Sequence, residues 1–234
     1  EVIQNLYDWV YWFIETTGVQ GFRLDAVKHI DSFFMRNFIR DITAKYGEDF
    51  YVFGEFWNSD ETANNDYLKN IEYRFDLVDV KLHHNFFDAS IAGADFDLRT
   101  IFDQTLAKNH PESAVTFVDN HDTQRGQALE STVEEWFKPA AYALILLRDE
   151  GLPCVFYGDY YGISGEFAQE SLQDVLDKLL DVRLNLAYGE QTDYFDDANC
   201  IGWTRQGKDD GQPIAVVVSN DQASSKRMLV GSEW

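Results

Sequence analysis

The chain has 234 residues, 45% of them hydrophobic and 15% aromatic, the composition of a globular fold with room for one large domain or one domain plus part of another. Nineteen basic against 41 acidic side chains give a formal charge of −22, which repels phosphate backbones and anionic lipid and sets nucleic-acid binding aside. No apolar run approaches the ~18 residues of a membrane span, and the two cysteines, Cys154 and Cys200, supply neither a disulfide framework nor a cysteine-rich zinc site.

Glu1 to Thr17 reads as a helix with Val2, Leu6, Trp9, Val10, Phe13 and Ile14 on one face, so the chain begins in mid-fold. Strands are expected at Gly21–Asp25, Tyr51–Glu55, Tyr73–Leu77, Ala114–Val118 and Cys154–Tyr157. Helices near 31–46, 61–70, 80–108 (broken around Gly93), 133–149 and 171–187 separate them. This alternation makes an α/β fold whose parallel sheet, with right-handed crossovers, either closes as a barrel or opens as a doubly wound sheet. Beyond Gly189 the pattern changes: Cys200–Trp203, Ile214–Ser219 and Met228–Val230 read as strands of an antiparallel β domain. The boundary falls near 187–190, dividing the chain into 1–188 and 189–234. No closing element follows Trp234, and the whole reads as a piece of a longer protein, with any signal peptide outside it.

Several strands end in ionisable residues, and in a parallel sheet the carboxyl ends of the strands form the functional face. Asp25, Glu55 and Asp122 fit this description, whereas one such acid alone would equally be a helix cap. Arg23 and Asp25 are two apart and share a strand face, so the guanidinium lies against the carboxylate. The pair is either an ionised nucleophile with its counterion or an ordinary ion pair. Phe53, Phe56 and Trp57 surround Glu55 with apolar rings, and desolvation there keeps a carboxyl protonated, as a general acid requires. One depressed and one raised carboxyl on adjacent strands match the machinery of glycoside hydrolysis. Trp57, Tyr73, Phe75, Tyr157, Tyr160 and Tyr161 lie at or beyond strand ends, where rings either stack on pyranose faces or pack the core. Asn120-His121-Asp122 suits the gripping of sugar hydroxyls, and equally a polar turn. Lys28 and His29 follow Asp25 closely and either reach a leaving-group sugar or stay at the surface; His83, His84 and His110 have no metal-type pairing.

Together, Gly21-Phe22-Arg23-Leu24-Asp25-Ala26-Val27-Lys28-His29-Ile30, Gly54-Glu55-Phe56-Trp57 and Phe117-Val118-Asp119-Asn120-His121-Asp122-Thr123-Gln124 resemble, in order and spacing, three segments of the α-amylase family of retaining glycoside hydrolases. Pro153 to Gly162 and Gly202-Trp203-Thr204-Arg205 resemble its bacterial liquefying-type branch, which includes cytoplasmic members. The resemblance implies a (β/α)8 barrel, of which about the last five strands are present, followed by part of an antiparallel β domain. It implies Asp25 as nucleophile, Glu55 as acid/base and Asp122 as transition-state stabiliser, with Arg23 orienting Asp25. His121 would bind the sugar in the cleaved subsite, Trp57 would add a stacking surface, and Lys28 and His29 would contact reducing-side sugars. The implied substrate is α-1,4-linked glucan cut internally with retention; the alternatives are a transferase of the same family and a noncatalytic glucan-binding relative. Calcium is implied too, with most ligands in the upstream part of the chain and His29 contributing a backbone carbonyl. A second calcium site known in some relatives uses a His-Asp pair where this chain has Ala198-Asn199. The absence of a disulfide framework permits either a cytoplasmic or a secreted protein, the detailed resemblance leans toward cytoplasmic relatives, and the upstream barrel segment of the same chain is the expected structural partner.

Overall fold

The structure, a computed structural model, describes residues 1–208 and 211–229. Five parallel strands, β1 (Gly21–Leu24), β2 (Tyr51–Gly54), β3 (Asp76–Val78), β4 (Ala114–Phe117) and β5 (Leu152–Cys154), lie side by side in sequence order. A doubly wound sheet reverses its strand order at a switch point; this sheet never does. The winding is that of five consecutive strands of a (β/α)8 barrel.

Outside the sheet run helices α1 (Val2–Thr17), α2 (Ser32–Tyr46), α3 (Glu61–Asn70), α4 (Val80–Ala92), α5 (Leu106–Asn109), α6 (Lys138–Leu146), α7 (Tyr157–Tyr161) and α8 (Gln173–Asn185). Three begin at an aspartate whose side chain accepts a hydrogen bond from the first turn: Asp31 before α2, Asp60 before α3 and Asp79 before α4. The main core fills the space between helices and sheet, with Val52, Leu77, Ala114 and Val118 facing it and Phe22 and Leu24 packed against it. Because strand side chains alternate, the next residues face the other way. Val78, Val80, Val115 and Phe117, joined by Phe53 and Trp57, form a second apolar cluster on the concave side.

After α8 the chain forms an antiparallel sheet of β6 (Gln191–Asp197), β7 (Cys200–Arg205) and β8 (Ile214–Ser219). Its central strand is buried throughout, and Trp203 is fully enclosed, its indole N–H donating to the Leu147 carbonyl at 3.3 Å. The Arg148 guanidinium lies 5.3 Å from that ring and pairs with Glu150 and Asp193, each at 2.8 Å. A polar seam completes the junction: the Asn220 amide donates to the Gly93 and Phe96 carbonyls, both at 2.8 Å, and the Asn199 amide to Ala94 at 2.7 Å.

Three expected elements shift. The apolar alternation from Tyr73 to Leu77 becomes strand only at Asp76, because the chain leaves α3 through left-handed backbone at Glu72 (φ 53°) and Tyr73 (φ 52°). Cys154–Tyr157 is apolar, yet ladder pairing with β4 runs from Leu152 to Cys154 and Tyr157 already opens α7. The helix predicted over 133–149 starts at Lys138, with Pro139 in the first turn, where a missing N–H costs nothing. The expected break at Gly93 is real (φ 56°), and short 3-10 turns follow it before α5. Strand β6 was not anticipated; Met228 and Leu229 are not strand, and Val230 lies outside the described residues. No helix among the described residues is long and apolar enough to cross a membrane.

His83, on α4, pins that helix to the end of β4. Its Nδ1 lies 2.6 Å from the Val118 carbonyl, which can only accept, so Nδ1 carries the proton and Nε2 accepts from the Ser131 hydroxyl at 2.8 Å. Burial pushes this imidazole down to about 4 from an ordinary 6.5. Between those values the unfolded chain binds the proton that the folded one refuses, so this contribution to stability is full above pH 6.5 and is lost as pH falls toward 4. Urea unfolding of the complete protein should show wild type losing roughly 3 kcal/mol across that window relative to His83→Gln. Separately, Trp203→Ala should cost about 3–5 kcal/mol at pH 7, read as a lowered urea midpoint; an unchanged midpoint would mean that the junction is not held by this ring.

Candidate active site

Phe22 and Leu24 pack outward, which turns Arg23 and then Asp25 to the concave side at the end of β1. By the same alternation Val52 faces the helices while Phe53 and Glu55 face inward. Parallel pairing sets Arg23 beside Phe53 and Leu24 beside Gly54. One guanidinium consequently serves two carboxylates: Arg23 forms a close ion pair with Asp25 and reaches the Glu55 Oε2 at 3.6 Å. Glu55 is nearly buried, whereas the Asp25 side chain is 74% exposed, open to an approaching ligand.

Backbone completes the setting. Glu55 N–H donates to Leu24 O at 2.8 Å, and Ala26, held at φ 47°, turns its own N–H onto Glu55 Oε2 at 2.8 Å. Gly54 leaves room for the Phe75 ring, which a Cβ there would meet at 2.7 Å. The wholly apolar surround expected for Glu55 is thus corrected: Phe56 stacks on Tyr67 in the main core, and one guanidinium and one peptide N–H are aimed at the Glu55 oxygens.

Beyond β4, Asn120 Oδ1 accepts from the N–H groups of Asp122 (2.8 Å) and Thr123 (3.0 Å), an Asx turn that presents His121 and Asp122 outward. The His121 Nε2 lies 3.2 Å from Asp122 Oδ2. A cleft of about 200 Å3 runs along the concave face, and Arg23, Glu55, Asn120, His121 and Tyr157 stand around its polar end while Val78, Val115 and Phe117 form its floor.

The other expected residues separate. Lys28 donates to the Trp57 carbonyl at 3.1 Å, tying the loop after β1 to that after β2. The Trp57 ring packs 6.3 Å from Phe117 and 6.1 Å from His83, in the inner apolar cluster. His29 is exposed and does not line the cleft. Tyr73 and Phe75 precede β3; Tyr73 is exposed and does not line the cleft, and Phe75 is core, its ring against Gly54 on the helix side of the sheet. Tyr157 and Tyr161 are exposed with ring centroids 4.6 Å apart, while the Tyr160 hydroxyl donates to Asp177 at 2.6 Å.

Behind the Asn120–Asp122 loop lies an ionic cluster that the sequence reading missed. Lys138 is fully buried, with Nζ 2.9 Å from Asp119 Oδ2, 3.0 Å from the Gln169 side-chain oxygen, and in close contact with Asp159. Burial pushes the Asp119 carboxyl up to about 6, against the attraction of Lys138. Its one sequence signal is a lysine on a helix whose other side chains are almost all apolar.

Among the described residues no three His, Cys, Asp or Glu side chains gather as a metal site.

The family profile described as "Alpha amylase, catalytic domain" matches residues 1–210. An alpha-amylase from Geobacillus stearothermophilus is 45% identical over 235 residues, covering 100% of this chain and 43% of the relative. The cytoplasmic alpha-amylase of Escherichia coli (strain K12) is 38% identical over 242 residues, covering 100% of this chain and 49% of the relative. Among solved structures, an alpha-amylase from Geobacillus thermoleovorans complexed with acarbose superposes with a TM-score of 0.70 at 25% identity, over 92% of this chain and 52% of that one. The chain spans about half the length of the curated relatives it matches. Five sequentially wound strands, carboxylates at their carboxyl ends and a profile match over most of the length agree, and the chain belongs to the alpha-amylase catalytic-domain family.

Proposed function

We propose that the complete protein hydrolyses internal α-1,4-glucosidic bonds of starch-like glucans with retention of configuration. The observation that carries this reading is the single Arg23 guanidinium shared by Asp25 and Glu55 on neighbouring strands. In the first step the Asp25 carboxylate bonds to the anomeric carbon while Glu55 gives its proton to the departing glycosidic oxygen. Water then attacks the same carbon, Glu55 takes the proton back, and the Asp25–sugar bond breaks. Arg23 holds the exposed Asp25 in line through their ion pair. Asp122, paired with His121, which lines the cleft, offers a second negative charge to the oxocarbenium-like transition state. His121 and Trp57 would contact the sugar at the cut, and Lys28 and His29 the reducing-side sugars.

The division into a barrel segment over 1–188 and a β domain from 189 belongs to the same reading, with the upstream barrel strands as its structural partner. Calcium binding by the complete protein does as well, with His29 contributing a carbonyl. A cytoplasmic location is supported by similarity to the cytoplasmic alpha-amylase of Escherichia coli.

Glu55→Gln keeps the shape but delivers no proton; turnover of unactivated maltooligosaccharides should fall by roughly 10²–10⁴-fold while binding, read by calorimetry, persists. Activity within about threefold of wild type would remove Glu55 from the role. Rapid NMR of the first product should show the α-anomer; initial β-anomer would make Asp25 a base acting through water, at a carboxyl separation wider than about 5.5 Å.

A further inference from the structure

The ammonium of Lys138 lies in a dry place between two carboxylates that belong to different segments, Asp119 at the end of β4 and Asp159 in α7. As a source of stability this arrangement is poor. Desolvating three charges, with one negative charge in excess, is costly, and apolar residues of similar volume commonly do as well or better. What the ionic arrangement supplies is direction. Its bonds form a path, each with an unambiguous donor. Lys138 Nζ donates to Asp119 Oδ2 at 2.9 Å; Asp119 Oδ1 accepts from the Thr123 hydroxyl at 2.9 Å; that hydroxyl oxygen accepts from Asn120 N–H at 2.9 Å. Asn120 Oδ1 then receives Asp122 N–H at 2.8 Å. On its other side Asp159 accepts from the Tyr142 hydroxyl at 2.5 Å and the Gln169 amide at 2.6 Å, fixing the helix that carries Tyr157 to the cleft wall.

We propose that Lys138 is a positioning residue: through Asp119 and Thr123 it sets the loop that aims His121 and Asp122, and through Asp159 it sets α7, so that two walls of the cleft are registered against one buried cation. This rests on the reading of Asp122 as the transition-state stabiliser. Because misplacement of a reacting group by about 1 Å can cost on the order of 10²-fold, loss of the path should appear in kcat rather than in KM.

The test uses the complete protein and maltooligosaccharides, well below each variant's melting temperature. Thr123→Val removes one link while leaving the ion pair, and Lys138→Met removes the cation. Both should lower kcat by roughly 10–100-fold with KM within about threefold. Leu144→Ala, a buried apolar truncation on the same helix and outside the path, should destabilise the fold and leave kcat within about twofold. If Lys138→Met does not fold, Thr123→Val decides. Wild-type kcat in Thr123→Val, alongside an inactive Asp122→Asn, overturns the positioning role and leaves Asp122 in place. An equal kcat loss in Leu144→Ala also overturns it, since the effect would then be general destabilisation. An active Asp122→Asn overturns the assignment of Asp122, and the proposal with it.

Discussion

In β1, Phe22 and Leu24 are drawn into the core between sheet and helices, and the backbone then leaves Arg23 and Asp25 no choice but the concave side. The same one-residue alternation turns Glu55 inward behind Phe53, and parallel pairing of β1 with β2 brings both carboxylates within reach of one guanidinium. The chemistry of the cleft is thus subordinate to the apolar contacts on the far side of the sheet. A slip of β1 by one residue against β2 would exchange its inward groups for its outward ones and put Arg23 and Asp25 against the helices, away from Glu55.

The chain carries a formal charge of −22, yet its cations are placed economically. Arg23 serves two acids, Lys138 two more, and Arg148 pairs with Glu150 and Asp193 while lying over three aromatic rings. At each place a single cation organises acids from separate segments, which is where opposite charges in a low-dielectric surround have most effect on geometry. The exposed pairs, such as Arg40 with Asp41, contribute little by comparison.

How much was legible follows from how local each cause is. Asp31 and Asp60 are caps that act within three residues, and the helices they open fall within a residue of expectation. Asp25, Glu55 and Asp122 were readable because short apolar strands end directly before the first two and five residues before the third. The start of β3 was not, because Tyr73, Phe75 and Leu77 alternate as a strand would, whereas Tyr73 is exposed and Phe75 closes on Gly54 and Tyr67. Lys138 was invisible for a similar reason. Its burial is tolerable only with Asp119 and Asp159, partners distant from it along the chain on either side, and no local pattern announces that three charges will meet.

The polar seam between the two sheets has a meaning for biosynthesis. Asn220 bonds to Gly93 across 127 residues of chain, so the turn that ends α4 must wait for its partners until nearly all of the described chain has left the ribosome. Neighbouring strands of the parallel sheet suffer no such delay, since each pairs with the strand made just before it. Closing so long a loop costs only a little more than closing a short one, because the entropy grows with the logarithm of length. The late antiparallel sheet therefore acts as a clasp: it fastens a turn whose neighbouring strands can already be paired when the asparagine arrives.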